Sequence, residues 1–261
     1  MKEDAMAPVL VVEHLQKHYG NHKAVKDVSF SVEAGEIFGI VGPNGAGKTS
    51  SVECIIGLRP ATAGTIQLLG RDLKQHGSYI RSKIGVQLQQ ATLPDRLTVA
   101  EALQLFGSFY PQARPWQKVI EEWGLAEQAK TAFANLSGGQ KQRLFIALSL
   151  IHDPEIVFLD ELTTGLDPQA RRITWNLIQD VRKRGKTVML VTHFMEEVER
   201  LCDRIAVIDQ GTVIALDTPD RMIAAYQHDL RQQPVPSRDL PHPERVTFED
   251  VFLRLIGQPA H

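Results

Sequence analysis

The stretch Gly42 to Ser50, GPNGAGKTS, constrains this chain more than any other segment of it. It follows a continuous apolar run, EIFGIVG (36–42), and precedes a stretch in which Val52, Ile55 and Ile56 fall at helical spacing. Glycine, four residues, then Gly-Lys-Ser/Thr between a strand and a helix is how a backbone cradles phosphate. The glycines let N–H groups converge on phosphate oxygens, and the helix amino end adds a positive partial charge. The loop comprises Gly42, Pro43, Asn44, Gly45, Ala46, Gly47, Lys48, Thr49 and Ser50, with Lys48 suited to the β- and γ-phosphates and Thr49 to Mg²⁺. An apolar strand without alternation is one covered on both faces of a parallel sheet.

The rest of the pattern agrees with an α/β core. PVLVVEHLQKHYG and the alternating VSFSV (28–32) read as half-buried strands, and GTIQLLG (64–70) and IGVQLQ (84–89) as further ones. From about 91 to 150 helical patterns replace strand signals, with Thr98 and Glu101 forming a capping box, so a helical insertion is expected there. Strands return as EIVFLDE (155–161), KTVMLVTH (186–193) and RIAVIDQGTVIAL (204–216), the last folding into a hairpin at Gln210-Gly211. The helix between the first two has Asp167 as its cap, Pro168 in its first turn, Arg182 to Arg184 at its carboxyl end and Gly185 as its stop. Strand–helix–strand alternation predicts a largely parallel sheet. After residue 228, DLRQQPVPSRDLPHPE reads as a linker, and an amphipathic TFEDVFLRLIG closes the chain.

Composition excludes several functions. With 43% hydrophobic and 23% charged residues the chain is an ordinary folded one, and its formal charge of −2 gives no electrostatic case for a nucleic-acid partner. Cys54 and Cys202 have no metal or disulfide spacing, which fits a reducing compartment. No run approaches the ~18 apolar residues of a membrane span, and the amino terminus lacks a secretory pattern. Any membrane role comes through a partner.

A nucleotide site also needs a carboxylate for metal and a group to orient water. The apolar run IVFLDE ends in Asp160 and Glu161, which a parallel sheet delivers to its carboxyl edge. Asp160 suits Mg²⁺, directly or through water, and Glu161 suits a general base. His193 ends another apolar strand and opens on the same edge, within reach of a γ-phosphate. A neutral amide ending IGVQLQ could sense metal and water; Gln89 is the candidate, with Gln87 and Gln90 as competitors. A second glycine pair, in NLSGGQKQR (135–143), follows a serine able to cap the next helix, and its open N–H groups form another anion site.

Taken together, GPNGAGKT, LSGGQ, VFLDE, TGLD and His193 resemble the nucleotide-binding subunit of ABC transporters, with matching order and spacing over about residues 9 to 217. The resemblance implies a P-loop NTPase core (1–228) with a mostly parallel sheet, an N-terminal antiparallel β portion and the inserted helical subdomain, followed by a linker and short helical tail (229–261). It implies ATP and Mg²⁺ as ligands and a head-to-tail pairing. ATP then lies between one chain's cradle and the other's signature, Leu136, Ser137, Gly138, Gly139 and Gln140, with Ser137 and Gly139 donating to the γ-phosphate. It places Tyr19 against adenine, makes Gln89 a metal and water sensor, and gives Asp167 communication between the two sites. Both half-sites read as intact, which favours two copies over a pairing with a paralogue. The implied setting is the cytoplasmic face of a membrane, against separate permease subunits touched near Gln89 and residues 91–110. IGVQLQ, TTGLDPQARR and EDVFLRLIG resemble the exporter branch, many of whose members handle drugs, antibiotics or lipid-linked molecules. The alternative is a soluble ATPase of the same family acting in DNA repair or on ribosomes, whose members usually carry two ATPase domains or a long coiled coil. One departure is Leu162 after Glu161, where family members commonly have proline; it restores a backbone donor and frees φ.

Overall fold

A computed structural model describes residues 7–88, 91–232 and 246–257. In chain order the elements are β1 (Leu10–Tyr19), β2 (His22–Val32), β3 (Ile37–Val41), α1 (Lys48–Ile55), β4 (Ala63–Leu68), β5 (Arg71–Asp72), α2 (Leu73–Arg81) and β6 (Ile84–Gln87). Then come α3 (Val99–Ser108), α4 (Trp116–Glu122), α5 (Gly138–Leu150), β7 (Ile156–Asp160), α6 (Pro168–Lys183), β8 (Thr187–Thr192) and α7 (Met195–Leu201). β9 (Arg204–Asp209), β10 (Thr212–Asp217), α8 (Pro219–Gln232) and α9 (Phe248–Leu255) complete them.

The strands form one mixed, curled sheet in the order β5-β4-β1-β2-β10-β9-β3-β8-β7-β6. β9, β3, β8, β7 and β6 run parallel, while β1, β2, β4 and β5 pair antiparallel at the other end. The burial pattern explains the division. Every residue of β3, β7 and β8 is buried, as the unbroken apolar runs require, whereas β2 buries Val28, Phe30 and Val32 and leaves Ser29 exposed between them. Phe30 stacks on Phe38 with ring centroids 5.1 Å apart, tying the antiparallel part to the central strand.

Helices α3, α4 and α5 lie between β6 and β7 in the chain and pack with α6 over one face of the sheet around Leu103, Trp123, Leu144 and Trp175. The capping box at Thr98 and Glu101 closes the amino end of α3, and Asp167 accepts from the amides of Gln169 and Ala170 at the head of α6. Gln210 and Gly211 both have positive φ, the geometry of a tight hairpin between β9 and β10.

Two expectations need correction. Residues 229–232, read as linker, are the last turn of α8, because Tyr226 and Leu230 fall four apart and both bury against α7 and α9. The remainder of that segment up to residue 245 lies outside the described residues. Strand β6 ends at Gln87, two residues short of Gln89.

The closing amphipathic segment, α9, packs on α7 and α8 with Phe248 fully buried and its amide 2.5 Å from a carboxylate oxygen of Glu199. Phe248→Ala should therefore cost about 3 kcal/mol, typical of an emptied aromatic site. Urea unfolding checks this; a loss below about 0.5 kcal/mol, the range of an ordinary surface change, would mean that α9 does not pack there.

Candidate functional site

The phosphate loop is held by backbone packing that admits only glycine at two points. A Cβ on Gly42 would come 2.1 Å from the Ile208 carbonyl oxygen, and one on Gly47, at φ 101°, would come 2.4 Å from that of Ala24. β9 and β2 thus clamp the loop from either side. Gly47 is also the cap residue of α1 and brings no side chain, so the first-turn amides of α1 have no side-chain cap. An uncapped helix amino end at the carboxyl edge of a sheet is an anion site. Lys48 lies across the loop, its ammonium donating to the carbonyls of Gly42 (2.7 Å) and Pro43 (2.9 Å). Burial lowers its pKa, and the charges of Glu161 and Asp160 oppose that shift.

A cleft of about 570 Å³ opens over this loop. Tyr19, Asn44 to Ser50, Asp160, Glu161 and His193 line it, so residues far apart in the chain meet as their positions at strand ends suggested. Asp160, the last residue of β7, is only 5% exposed, and desolvation together with the neighbouring Glu161 raises its pKa to about 6 against the pull of Lys48. Glu161 sits at φ 51°, in the left-handed region, with its amide donating to Val191 O at 2.9 Å. A proline at 162 would push its predecessor towards extended backbone. Leu162 leaves Glu161 this freedom and fills the core with its side chain. The Glu161 carboxylate lies 3.4 Å from His193 Nδ1 and accepts from the Thr164 hydroxyl at 3.4 Å.

Tyr19 is 39% exposed at the cleft rim, with its hydroxyl 3.5 Å from the Ser50 hydroxyl and Lys17 and Arg59 beside its ring. His22 and Ala24 also line the cleft and were missed. Pairing of Tyr19 with His22 across the Gly20-Asn21 turn delivers His22, and that two-residue turn was the available signal. Gln89 and Gln90 lie outside the described residues. Gln87 lines a different cleft, with its amide nitrogen donating to Leu88 O at 3.1 Å.

The second glycine pair opens elsewhere. Leu136 is a buried core anchor, while Ser137, Gly138, Gly139 and Gln140 line a groove of about 180 Å³ together with Asp167. Ser137 Oγ accepts from the Gln140 amide at 3.3 Å, and Gln140 Oε1 accepts from the Ser137 amide at 2.8 Å, a reciprocal box at the head of α5. None of these residues lines the phosphate-loop cleft of the same chain.

A strand–loop–helix phosphate cradle facing a buried carboxylate on the neighbouring strand but one defines a nucleotide-triphosphate-binding α/β protein. A family model described as ABC transporter matches residues 25–164. The chain is 43% identical over 221 residues to a Nod factor export ATP-binding protein I of Ralstonia nicotianae, covering 83% of this chain and 69% of that one. It is 41% identical over 264 residues to the protein of that name in Paraburkholderia xenovorans, covering 95% and 87%. A linearmycin resistance ATP-binding protein of Bacillus subtilis is 36% identical over 268 residues, covering 97% and 86%. Among solved structures, an ATP-binding subunit of an ABC transporter superposes with a TM-score of 0.79 at 25% identity, covering 95% of this chain and 99% of that one. The ADP conformation of an ATP-binding cassette does so at 0.74 and 25%, covering 83% and 93%. The chain belongs to the ATP-binding subunits of ABC transporters, which bind nucleotide and hydrolyse ATP.

The raised pKa of Asp160 sets a pH dependence. A carboxyl with a folded pKa near 6 and an ordinary value of 3.8 adds its stability below 3.8 and loses it as pH rises through 6. In metal-free protein, Asp160→Asn should therefore stabilise at pH 8 by up to about 3 kcal/mol, with the gain shrinking towards pH 4. Urea midpoints at the two pH values check this, and an equal change at both would contradict it.

Proposed function

We propose that this chain is the ATP-hydrolysing subunit of an exporter and that it works as a head-to-tail pair, two copies placing ATP between the Gly42–Ser50 loop of one and the Leu136–Gln140 signature of the other. The observation that carries this reading is the separation of the two anion-binding stretches into different clefts of one chain. A single copy offers each nucleotide half a site.

Within the pair, Lys48 and the loop amides hold the β- and γ-phosphates, Tyr19 stacks on adenine, and Ser137 and Gly139 of the other copy donate to the γ-phosphate. Glu161 takes the proton of the attacking water, and His193 hydrogen-bonds the γ-phosphate beside that carboxylate. Among the described residues no group of three or more His, Cys, Asp or Glu side chains could hold a metal. Mg²⁺ asks for less, one or two carboxylates with the phosphates themselves, and the Thr49 hydroxyl and buried Asp160 fit it, with Gln89 the third group assigned to it. Bound there, Mg²⁺ would neutralise charge on the β- and γ-phosphate oxygens. Asp167, shared between the α6 cap and the signature groove, passes the state of one site to the other. ATP closes the pair because each nucleotide contacts both copies, and loss of the γ-phosphate reopens it.

No described helix is long and apolar enough to cross a membrane, so membrane work falls to separate permease subunits. A cleft of about 590 Å³ between β6, α3 and α5 supports their docking on the helical insertion. Phe106, Tyr110 and Phe145 line it, and Leu105 on α3 and Phe109 just past its carboxyl end stand exposed nearby. Among the described residues, two buried atoms at this cleft, Gln87 Oε1 and His152 Nδ1, have no partner. The His152 Nε2 contact with the Ile84 carbonyl, at 3.0 Å, fixes Nε2 as the donor, so both orphans are acceptors. The chain sits on the cytoplasmic face, and the exporter branch it resembles fits the names of its relatives, which lend no support to a DNA-repair or ribosomal role.

Glu161→Gln should leave ATP affinity within about twofold of wild type while lowering turnover by roughly a hundredfold or more, the weight of a general base. With Mg-ATP this variant should run as a dimer in size-exclusion chromatography with light scattering, and adding Ser137→Arg should abolish the dimer. A dimer indifferent to Ser137→Arg would refute the shared site.

A further inference from the structure

We infer that Glu197 is a positioning residue for ATP hydrolysis: its buried carboxylate straps together the two segments that carry Glu161 and His193. This rests on the roles proposed above for those two side chains. Glu197 lies on α7, fully buried, and is not among the residues lining the nucleotide cleft.

Three donors converge on it, from the loop after β7, the end of β8 and the middle of α6. The Thr163 hydroxyl, two residues beyond Glu161, donates to Glu197 Oε1. The Thr192 hydroxyl, immediately before His193, donates to Oε2 at 2.5 Å. The Trp175 indole N–H on α6 completes the set at 3.4 Å from Oε1. Ionised, a carboxylate only accepts, so all three donors are satisfied at once and their hydroxyl protons are oriented.

That orientation reaches the site. The single proton of Thr192 goes to Glu197, which leaves its oxygen lone pairs to accept the Phe194 amide at 3.0 Å. The backbone is thereby pinned on both sides of His193. On the other segment, the Glu161 amide is tied to Val191 O at 2.9 Å and Thr163 is tied to Glu197, so the left-handed turn at Glu161 is anchored at both ends. Backbone in such a conformation persists where its surroundings over-determine it. The product is the 3.4 Å approach of Glu161 to His193 Nδ1. A glutamine at 197 has one acceptor oxygen for these three donors, and its own N–H groups would force a hydroxyl to turn round. Loss of the strap therefore misplaces both segments without touching the phosphate loop.

The test uses the purified full chain with Mg-ATP and the variants Thr192→Val, Thr192→Ser and Glu197→Gln, with urea midpoints recorded for each. Thr192→Val should lower kcat roughly tenfold or more, as a small misplacement of reacting groups does. Its KM, and its affinity for a non-hydrolysable ATP analogue, should stay within about twofold, because Lys48 and the loop are unaltered. Thr192→Ser, which keeps the hydroxyl, should recover most of the turnover, and Glu197→Gln should match the valine variant. Wild-type kcat in Thr192→Val would overturn the proposal. So would a parallel fall in kcat, nucleotide affinity and urea midpoint that serine does not rescue, since that is the mark of a merely structural contact. Glu161→Gln and His193→Ala are run alongside. If either turns over ATP at the wild-type rate, the underlying assignment fails and the proposal with it; if both are impaired while Thr192→Val is not, the strap alone fails.

Discussion

Phe38, Ile40 and Val41 leave no room for solvent on β3, and that burial holds the Gly42–Gly47 loop at the carboxyl edge of the sheet. A strand flanked by β8 and β9 cannot shift without breaking two ladders, so the loop inherits its rigidity. The carbonyls of Ala24 and Ile208 then fix the loop from the sides, at contacts no side chain at Gly47 or Gly42 would survive. What faces solvent is an uncapped helix start and the ammonium of Lys48, a positive surface built mostly from backbone. Everything else at the site is placed relative to this fixed point: Asp160 arrives on β7 and His193 at the end of β8, two and one strands away.

The second helix start, at α5, is built by different means. Its cap is a side-chain box between Ser137 and Gln140, and its groove is shared with Asp167 at the head of α6. Both helix amino ends are positive and attract anions, and they open into separate clefts of one chain. In the proposed pair, a polyphosphate bridging one cleft to another chain's groove would satisfy both ends, and closure would depend on the nucleotide.

Much of this was legible in the sequence because contiguous residues carry it. The phosphate loop, the acids after an unbroken apolar strand and the caps of α3 and α6 are local patterns with local causes. What escaped depends on distance. His22 reaches the cleft only through its pairing with Tyr19. Glu197 is one of three acids in MEEVERL, and nothing in that heptapeptide separates it from the exposed Glu196; only packing against Thr163, Thr192 and Trp175 does. The polar run DLRQ reads as a linker by composition, yet Tyr226 and Leu230 bury a helical stripe that carries it into α8. IGVQLQ reads as a strand running to Gln89, but β6 ends at Gln87, which lines the apolar cleft beside α3.

The central claim is that each ATP is completed by two chains, and mixing two crippled chains tests it most directly. Lys48→Ala destroys the cradle and spares the signature, while Ser137→Arg does the reverse, so each alone should be inactive. Combined in equal amounts they assemble one intact composite site per mixed pair, and the account predicts that ATP hydrolysis reappears on mixing. Two inactive variants that stay inactive together, while wild-type chain diluted into either retains its activity, would contradict it.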